Sequence, residues 1–535
     1  MSSSTLIEVF GHIVFSFTRG VTEHYNPQEP EFTAEAFGYD PLLTTGREWN
    51  YHPVDELIYQ EYSDREATSY LASSHLHVRV TNACSIEENE ETHEGRQDED
   101  RGMAWKRLRP SALRTVSKSM CIGALISLLT ATIIGIVFVM SIYLGYKTLF
   151  NCRYLPLKSI PVRVQWTITI SDVIACALFY ACEFINLLLL FRPYQLKGLK
   201  TKLILVCCGI FSLDAVYRVI LQALGKPFYH MNPLYKVPIY TFFIVNISLQ
   251  IYLVTMSFNL RGVKLVTLIS KMTIPQCFTF IVAFAMVIFI YPAYNQKEKE
   301  GKLLIAIYSP LIGVALKVIS RICVQRLWNI THPGYSYVLL APLHYVSAVM
   351  FRVLQADLES LQYITILGII HGAAEVIERS TMVVIDHICY VIGKRKSAPW
   401  GSFRTPRRER LMADIAIMSM LSESTAVMSV NGFLYLYQYV YLENDSLLTL
   451  LQSFAIRTSV QLLIEWFFTS VSLAIETRYQ NMAVMAVWRR RWKRHILVAV
   501  VNGVPVAIWI GGNLLNVIRG RFNEISNQLC KMPFS

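Results

Sequence analysis

Between Met120 and Ile518 the chain carries about ten or eleven apolar stretches, most of them some 20 residues long or longer. A helix of this length crosses a hydrocarbon core of roughly 30 Å. Helices also satisfy all their backbone hydrogen bonds internally, which lipid requires of any segment that spans it. The sequence therefore predicts an all-α fold, a polytopic integral membrane helix bundle.

Charge is sparse and unevenly distributed along the chain. Charged residues make up 16% of the sequence and hydrophobic residues 53%, whereas soluble domains hold about 25% charged residues. Residues 21–101 contain 19 acidic side chains against 5 arginines, a net charge of −14. Because the whole chain carries +12, the remainder carries +26. An acidic segment is thus joined to a basic membrane domain, and the two need separate interpretations.

The charge distribution predicts three regions. Residues 1–110 form an acidic, mostly disordered cytosolic tail, residues 111–520 the transmembrane bundle and residues 521–535 a short C-terminal tail. The acidic tail is too polar to bury enough apolar surface to offset its ordering entropy. The tetrapeptides that begin at Tyr39 and Tyr51 resemble tyrosine-based sorting signals. Sorting or adaptor proteins are therefore candidate partners of the tail, and a solvated tail with scattered aromatic residues is the alternative.

Eleven spans are expected, of which the seventh is the weakest because it is short and contains a proline, a histidine and an arginine. This segment is alternatively re-entrant or interfacial. The spans are Met120–Leu144, Thr167–Phe191, Thr201–Leu224, Val237–Phe258, Leu265–Tyr291, Leu303–Ile322, Tyr335–Val353, Ile364–Ile392, Leu411–Tyr441, Leu447–Ile475 and His495–Ile518.

Lysine and arginine bias in the short loops predicts the orientation of the bundle. The segment before the first span is strongly basic, which places the N-terminus in the cytosol. With eleven spans the three most basic segments, Arg192–Lys202, Lys394–Arg410 and Val487–His495, also face the cytosol. We expect these segments to meet anionic lipids of the bilayer rather than nucleic acid. A second copy of the chain, in a homo-oligomer, is a further candidate partner.

The eighth span contains an unusual stripe of ionisable residues. With His371 at 0° and 100° per residue, Glu375 falls at about 40°, Glu378 at about −20° and Asp386 at about 60°. The stripe extends over about 22 Å, which is most of the hydrocarbon thickness. Ionisable side chains inside a span are costly and usually functional. Three carboxylates and an imidazole in one stripe suit cation coordination or proton transfer.

Further ionisable residues on the ninth and tenth spans extend this polar face. Glu423 and Glu465 are expected to be acids that face the stripe, and Arg457 is expected to be their counter-charge. The alternative is that these groups pair only to fix helix packing. Glu476 and Asp414 lie near predicted cytosolic span ends, where we expect them to be solvated.

These features favour a transporter or ion-conducting protein, cation- or proton-linked, that moves an unknown small ion or solute. The chain has no P-loop, no GxSxG and no dinucleotide motif, and we expect no cofactor and no enzyme activity. Two alternatives are a lipid-modifying enzyme of the acyl-transfer type with His344 or His371 as base, and a receptor or scaffold that works through the acidic tail. Paired ExxH motifs, which would indicate a di-metal site, do not occur.

Overall fold

The structure is a computed structural model of the 535-residue chain. The part that it describes comprises residues 157–191, 196–226, 233–257, 262–325, 327, 331, 333–358, 360–394, 406–441, 446–478 and 484–518, with residue 13 and single positions between 116 and 136. Both terminal tails predicted from the sequence, including the two tyrosine motifs, lie almost wholly outside the described residues.

Ten helices make up most of the described chain. They are α1 (Val162–Leu190), α2 (Lys200–Ala223), α3 (Pro233–Met256), α4 (Val263–Ala285), α5 (Lys299–Gln325), α6 (Ala341–Asp357), α7 (Leu361–Lys394), α8 (Pro406–Tyr441), α9 (Leu447–Arg478) and α10 (Val484–Ile518). Helix α4 continues through a π-helical turn, Met286–Ile290, into Tyr291–Asn295, and two short helical turns, Pro333–Ser336 and Tyr337–Leu339, precede α6.

Seven helical segments in the described part are long and apolar enough to cross a membrane. They are Val162–Leu190, Lys200–Ala223, Val237–Met256, Leu265–Ala285, Glu300–Gln325, Arg410–Leu436 and Leu447–Glu476. Each coincides with a span expected from the sequence. The predicted fold class, an all-α multi-pass membrane bundle, is confirmed.

The weakest predicted span, Tyr335–Val353, corresponds to a short interior helix. Helix α6 has 17 residues, of which 14 are buried, and at 1.5 Å per residue it is about 26 Å long. Pro342 lies in its first turn, where the missing N–H is not needed for a helical hydrogen bond. The helix is buried along its length because α4, α5, α8 and α10 pack around it.

Helix α8 is the central helix of the bundle. It packs against α6, α9 and α10, and 89% of its apolar window is buried inside the protein. This position explains why a span can carry the polar run that begins at Ser419 and includes Glu423. The polar side chains of α8 meet protein groups instead of lipid, so their desolvation is offset by hydrogen bonds and ion pairs.

Close contacts between helices depend on small residues and on amide pairs. A Cβ atom at Gly372 of α7 would lie 2.4 Å from Cδ2 and 2.9 Å from Cβ of Phe468 on α9. Asn186 of α1 and Asn502 of α10 each donate an amide hydrogen bond to the other, at 2.8 and 3.0 Å. These contacts set the distances between helix axes in the bundle.

We predict that Gly372→Ala destabilises the protein by about 1–3 kcal/mol, because the new methyl group overlaps the Phe468 ring and forces α7 away from α9. Thermal unfolding in detergent measures the effect. Gly209→Ala on α2 is the matched control, since a Cβ there meets no atom within 4 Å. An unchanged midpoint in Gly372→Ala would contradict the close packing of α7 on α9.

Candidate functional site

The acidic stripe of α7 faces the central helix α8 in a regular antiparallel register. His371 Nε2 lies 3.6 Å from Glu423 Oε1, and the Ser419 hydroxyl donates to Glu375 Oε1 at 3.0 Å. Four residues along α7 thus correspond to four residues back along α8. Eleven residues further, Asp386 Oδ2 accepts a hydrogen bond from Arg408 Nη2 at 2.6 Å, again an equal step along α8.

The first of three charged layers along this register contains one arginine and two glutamates, and we call it the central layer. Arg352 of α6 donates from Nη2 to Glu423 Oε2 of α8 at 3.1 Å and also to Glu465 Oε2 of α9. The three side chains are each at most 4% exposed. A single guanidinium thus joins three helices inside the bundle.

Neighbouring side chains hold Arg352 and His371 in place. Arg352 Nη1 donates to Gln355 Oε1 at 2.8 Å, and Gln355 Nε2 donates to the Ile364 carbonyl at 2.8 Å across the α6–α7 turn. The Phe351 ring stacks on the His371 imidazole with centroids 4.0 Å apart and lies 5.2 Å from Arg352 Cζ. The orientation of the central layer therefore comes from α6, which the rest of the bundle buries.

The second layer lies one to two turns further along α7. Arg379 donates from Nε and Nη2 to the two carboxylate oxygens of Glu476 on α9, at 2.8 and 2.7 Å. Its Nη1 also lies 3.5 Å from Glu375 Oε1. Glu375, Arg379 and Glu476 are all buried, so two acids again share one guanidinium.

The third layer reverses this ratio. Asp386 accepts hydrogen bonds from Arg321 of α5 at 2.8 and 3.2 Å and from Arg408 of α8 at 2.6 Å. Gln325 Nε2 completes the set at 2.9 Å from Asp386 Oδ2. Two guanidiniums therefore surround one carboxylate at the end of α7 that precedes the basic segment Lys394–Arg410.

Formal charge is out of balance in the central layer. With both acids ionised and His371 neutral, Arg352, Glu423 and Glu465 carry a net charge of −1. A buried net charge is expensive in a low-dielectric interior. The central layer can remove the excess by binding one proton or cation.

The central layer lies near the middle of the helices that carry it. Glu423 is the 18th of 36 residues in α8, and Glu465 is the 19th of 32 residues in α9. If both helices cross the bilayer, these carboxylates lie near its midplane. Solute and coupling-ion sites of membrane transporters are typically found at this depth.

Arg457 was expected to be the counter-charge of Glu423 and Glu465, and this expectation is wrong. Arg352 pairs with both acids, whereas Arg457 is half-buried and lies eight residues before Glu465 on α9. In the sequence Arg352 only weakens an already short apolar segment. Its role becomes evident once α6 is known to be an interior helix, where an arginine must have acidic partners.

The acids at two expected span ends are not solvated. Glu476 pairs with Arg379, and Asp414 is fully buried between His495 Nε2 at 2.9 Å and Arg410 Nε at 3.2 Å. Arg379 and His495 could not be identified as these partners from the sequence, because each lies on a different helix from the acid that it pairs with. The expectation that both acids are solvated is therefore wrong, and both are paired inside the protein.

Glu378 differs from the other members of the stripe. It is half-buried, and its carboxylate makes no hydrogen bond or ion pair with any residue that the structure describes. His371, Glu375 and Asp386 instead meet α8 as set out above. The stripe therefore has two environments, one in the charged layers and one at Glu378.

The described ranges contain no group of three or more His, Cys, Asp or Glu side chains arranged to hold a metal ion. Comparison of the chain with protein-family models, curated proteins and solved structures finds no match.

We predict that Arg352→Met destabilises the protein by about 3–5 kcal/mol, because it leaves two carboxylates buried without their cation. The triple variant Arg352→Met, Glu423→Gln, Glu465→Gln should recover most of that loss, since no charge then remains unpaired. Chemical denaturation in detergent measures both changes. Lys226→Met is the control: Lys226 is exposed and donates to the exposed Tyr235 hydroxyl at 2.9 Å, and surface substitutions of this kind change stability by only about 0.5 kcal/mol. A triple variant no more stable than Arg352→Met would contradict the charge assignment.

Proposed function

We infer that this multi-pass membrane protein is a proton-linked transporter whose proton-binding group is the central layer of Arg352, Glu423 and Glu465 with His371. The observation that supports this most strongly is the excess of acid in the central layer. Glu423 and Glu465 share the single guanidinium of Arg352 within a buried core. The layer is neutral only when it holds one additional positive charge.

The geometry favours a proton over a metal cation as this additional charge. Both Glu465 oxygens have partners, Arg352 on one side and Thr469 at 3.2 Å on the other. One Glu423 oxygen accepts from Arg352, and the other faces His371. A metal ion needs several free oxygen ligands at once, whereas a proton needs one lone pair.

His371 is positioned to exchange this proton with Glu423. Its Nε2 lies 3.6 Å from Glu423 Oε1, just beyond hydrogen-bond distance, and this nitrogen has no other hydrogen-bond partner among the described residues. A small approach of the two groups would complete the hydrogen bond. Imidazole is the side chain whose ordinary protonation range includes neutral pH, which suits reversible transfer.

The third layer is expected to close the path toward the basic loop. Arg321 and Arg408 both pair with Asp386, and a constriction lined by arginines opposes proton and cation passage. Access to the central layer is then from the opposite end of α7 and α8. Opening toward the basic loop requires Arg321 or Arg408 to leave Asp386, which would give alternating access to the layer.

We predict that purified protein in liposomes takes up protons when a potassium diffusion potential is imposed with valinomycin, and that Glu423→Gln or Glu465→Gln reduces uptake to the level of empty vesicles. Each substitution removes a carboxylate that the proposal assigns to the transferred proton. A pH-sensitive dye trapped in the vesicles reports the uptake.

Glu183→Gln is the matched control for this experiment. Glu183 is a carboxylate in the span of α1, hydrogen-bonded by Gln276 at 2.8 Å and outside the three layers. Its replacement should leave uptake unchanged. Wild-type vesicles that take up no more protons than empty ones, or full uptake in a Glu423→Gln, Glu465→Gln double variant, would contradict the proposed function.

A further inference from the structure

Three ionisable side chains outside the charged layers lie on the neighbouring helices α5, α6 and α7. Lys317 and Glu378 are half-buried, and neither makes a hydrogen bond or ion pair with another described residue. His344 is only 7% exposed, and its Nδ1 atom has no hydrogen-bond partner among the same residues. Buried polar groups without partners are rare and require an explanation.

The register of α5 and α6 places Lys317 and His344 at one level. The two helices run antiparallel, since Lys302 pairs with Asp357 at 2.9 Å and a Cβ at Gly313 would lie 3.4 Å from Ser347 Cβ. From that contact, four residues forward along α5 lead to Lys317. Three residues back along α6 lead to His344, at nearly the same height.

The register of α6 and α7 adds Glu378 to this level. The rings of Phe351 and His371 stack with centroids 4.0 Å apart, and the two helices are also antiparallel. Seven residues back along α6 lead from Phe351 to His344, and seven residues forward along α7 lead from His371 to Glu378. Lys317, His344 and Glu378 therefore share one level of three helices that pack on one another.

All three residues lie on helix faces that meet another helix of this group. Lys317 lies between Gly313 and Arg321 on one face of α5, and these neighbours contact α6 and α7 respectively. His344 shares its face of α6 with Ser347, and Glu378 is within about 20° of His371 on α7.

We propose that this junction is a binding site for a small dipolar solute that carries one ammonium and one acid group, and this proposal rests on the transport function inferred above. The acid group binds Lys317, the ammonium binds Glu378, and His344 Nδ1 makes a third polar contact. An α-amino acid and a phosphoethanolamine lipid headgroup share this chemistry.

The charges at the junction explain the preference for a dipolar ligand. Lys317 and Glu378 are opposite charges at one level of neighbouring helices, and no ion pair joins them. A ligand with two opposite charges would satisfy both groups. A ligand with a single charge leaves one of them desolvated without a partner, which is costly.

The site lies close to the proton-binding layer. Glu378 is seven residues from His371 on α7, a rise of about 10 Å. Movement of α7 on ligand binding would therefore change the distance between His371 and Glu423. Occupation of the junction is thereby linked to proton transfer in the central layer.

The test measures ligand-induced shifts of the thermal midpoint of purified full-length protein. The probes are glycine, glycinamide with only the cation, N-acetylglycine with only the anion, and phosphoethanolamine, each at about 10 mM, above the usual KM range. We expect glycine or phosphoethanolamine to raise the midpoint and the two singly charged analogues to leave it unchanged. A larger shift with phosphoethanolamine identifies a lipid headgroup as the natural ligand, and a larger shift with glycine identifies a free amino acid.

Variants locate the binding. Lys317→Met and Glu378→Gln should each abolish the shift, and the charge-exchanged variant Lys317→Glu, Glu378→Lys should regain part of it, because a dipolar ligand can bind in the reverse orientation. Glu183→Gln should keep the full shift. The Glu423→Gln, Glu465→Gln double variant should still show a shift, whose size can change because the two sites are linked. Binding in that double variant without proton uptake separates this site from the proton-binding layer.

The proposal is overturned if neither dipolar probe raises the midpoint. It is also overturned if glycinamide or N-acetylglycine acts as strongly as glycine. An unchanged midpoint shift in Lys317→Met or Glu378→Gln also overturns the proposal. Wild-type binding together with absent proton uptake would contradict the proposed function instead.

Discussion

The sharing of one guanidinium by two carboxylates determines much of this structure. Arg352 is carried by a short interior helix and pairs with Glu423 and Glu465 on two longer helices. Its charge is needed to bury these acids, and their combined charge exceeds what it can neutralise. The same contact therefore holds α6, α8 and α9 together and leaves an unfilled requirement for positive charge at the centre of the bundle.

Burial of α8 makes this arrangement possible. A helix surrounded by α6, α9 and α10 can carry Ser419 and Glu423 without exposing them to lipid. The charged layers then follow the antiparallel register of α7 and α8, with two acids on one arginine in two layers and two arginines on one acid in the third. Excess acid in the central layer and arginines at one end of the helices form the charge distribution that we propose for a gated proton path.

The length of the apolar stretches was sufficient to predict the fold class, and helical periodicity was sufficient to predict the acidic stripe. The 100° step places the four ionisable residues on one side of α7 whatever the surrounding helices are. Glu423 was expected to face the stripe and lies 3.6 Å from His371. The arginines that pair with the acids could not be predicted, because Arg352, Arg321 and Arg408 lie on other helices and their positions depend on packing. Apolar content identified the segment of α6 only as a weak membrane span. The helix can be short and can contain an arginine because protein rather than lipid surrounds it. The level shared by Lys317 and Glu378 depends on the register of three helices.

Infrared spectroscopy of the carboxyl groups tests the charge balance most directly. Protonated carboxyls absorb at a frequency separate from that of carboxylates, so a pH titration of the folded protein counts buried acids that hold a proton. The charge excess of the central layer predicts protonated carboxyl absorption near neutral pH that decreases by the intensity of one carboxyl in the Glu423→Gln, Glu465→Gln double variant. A band unaffected by that double variant, or no such band in the folded protein, would contradict proton binding at the central layer.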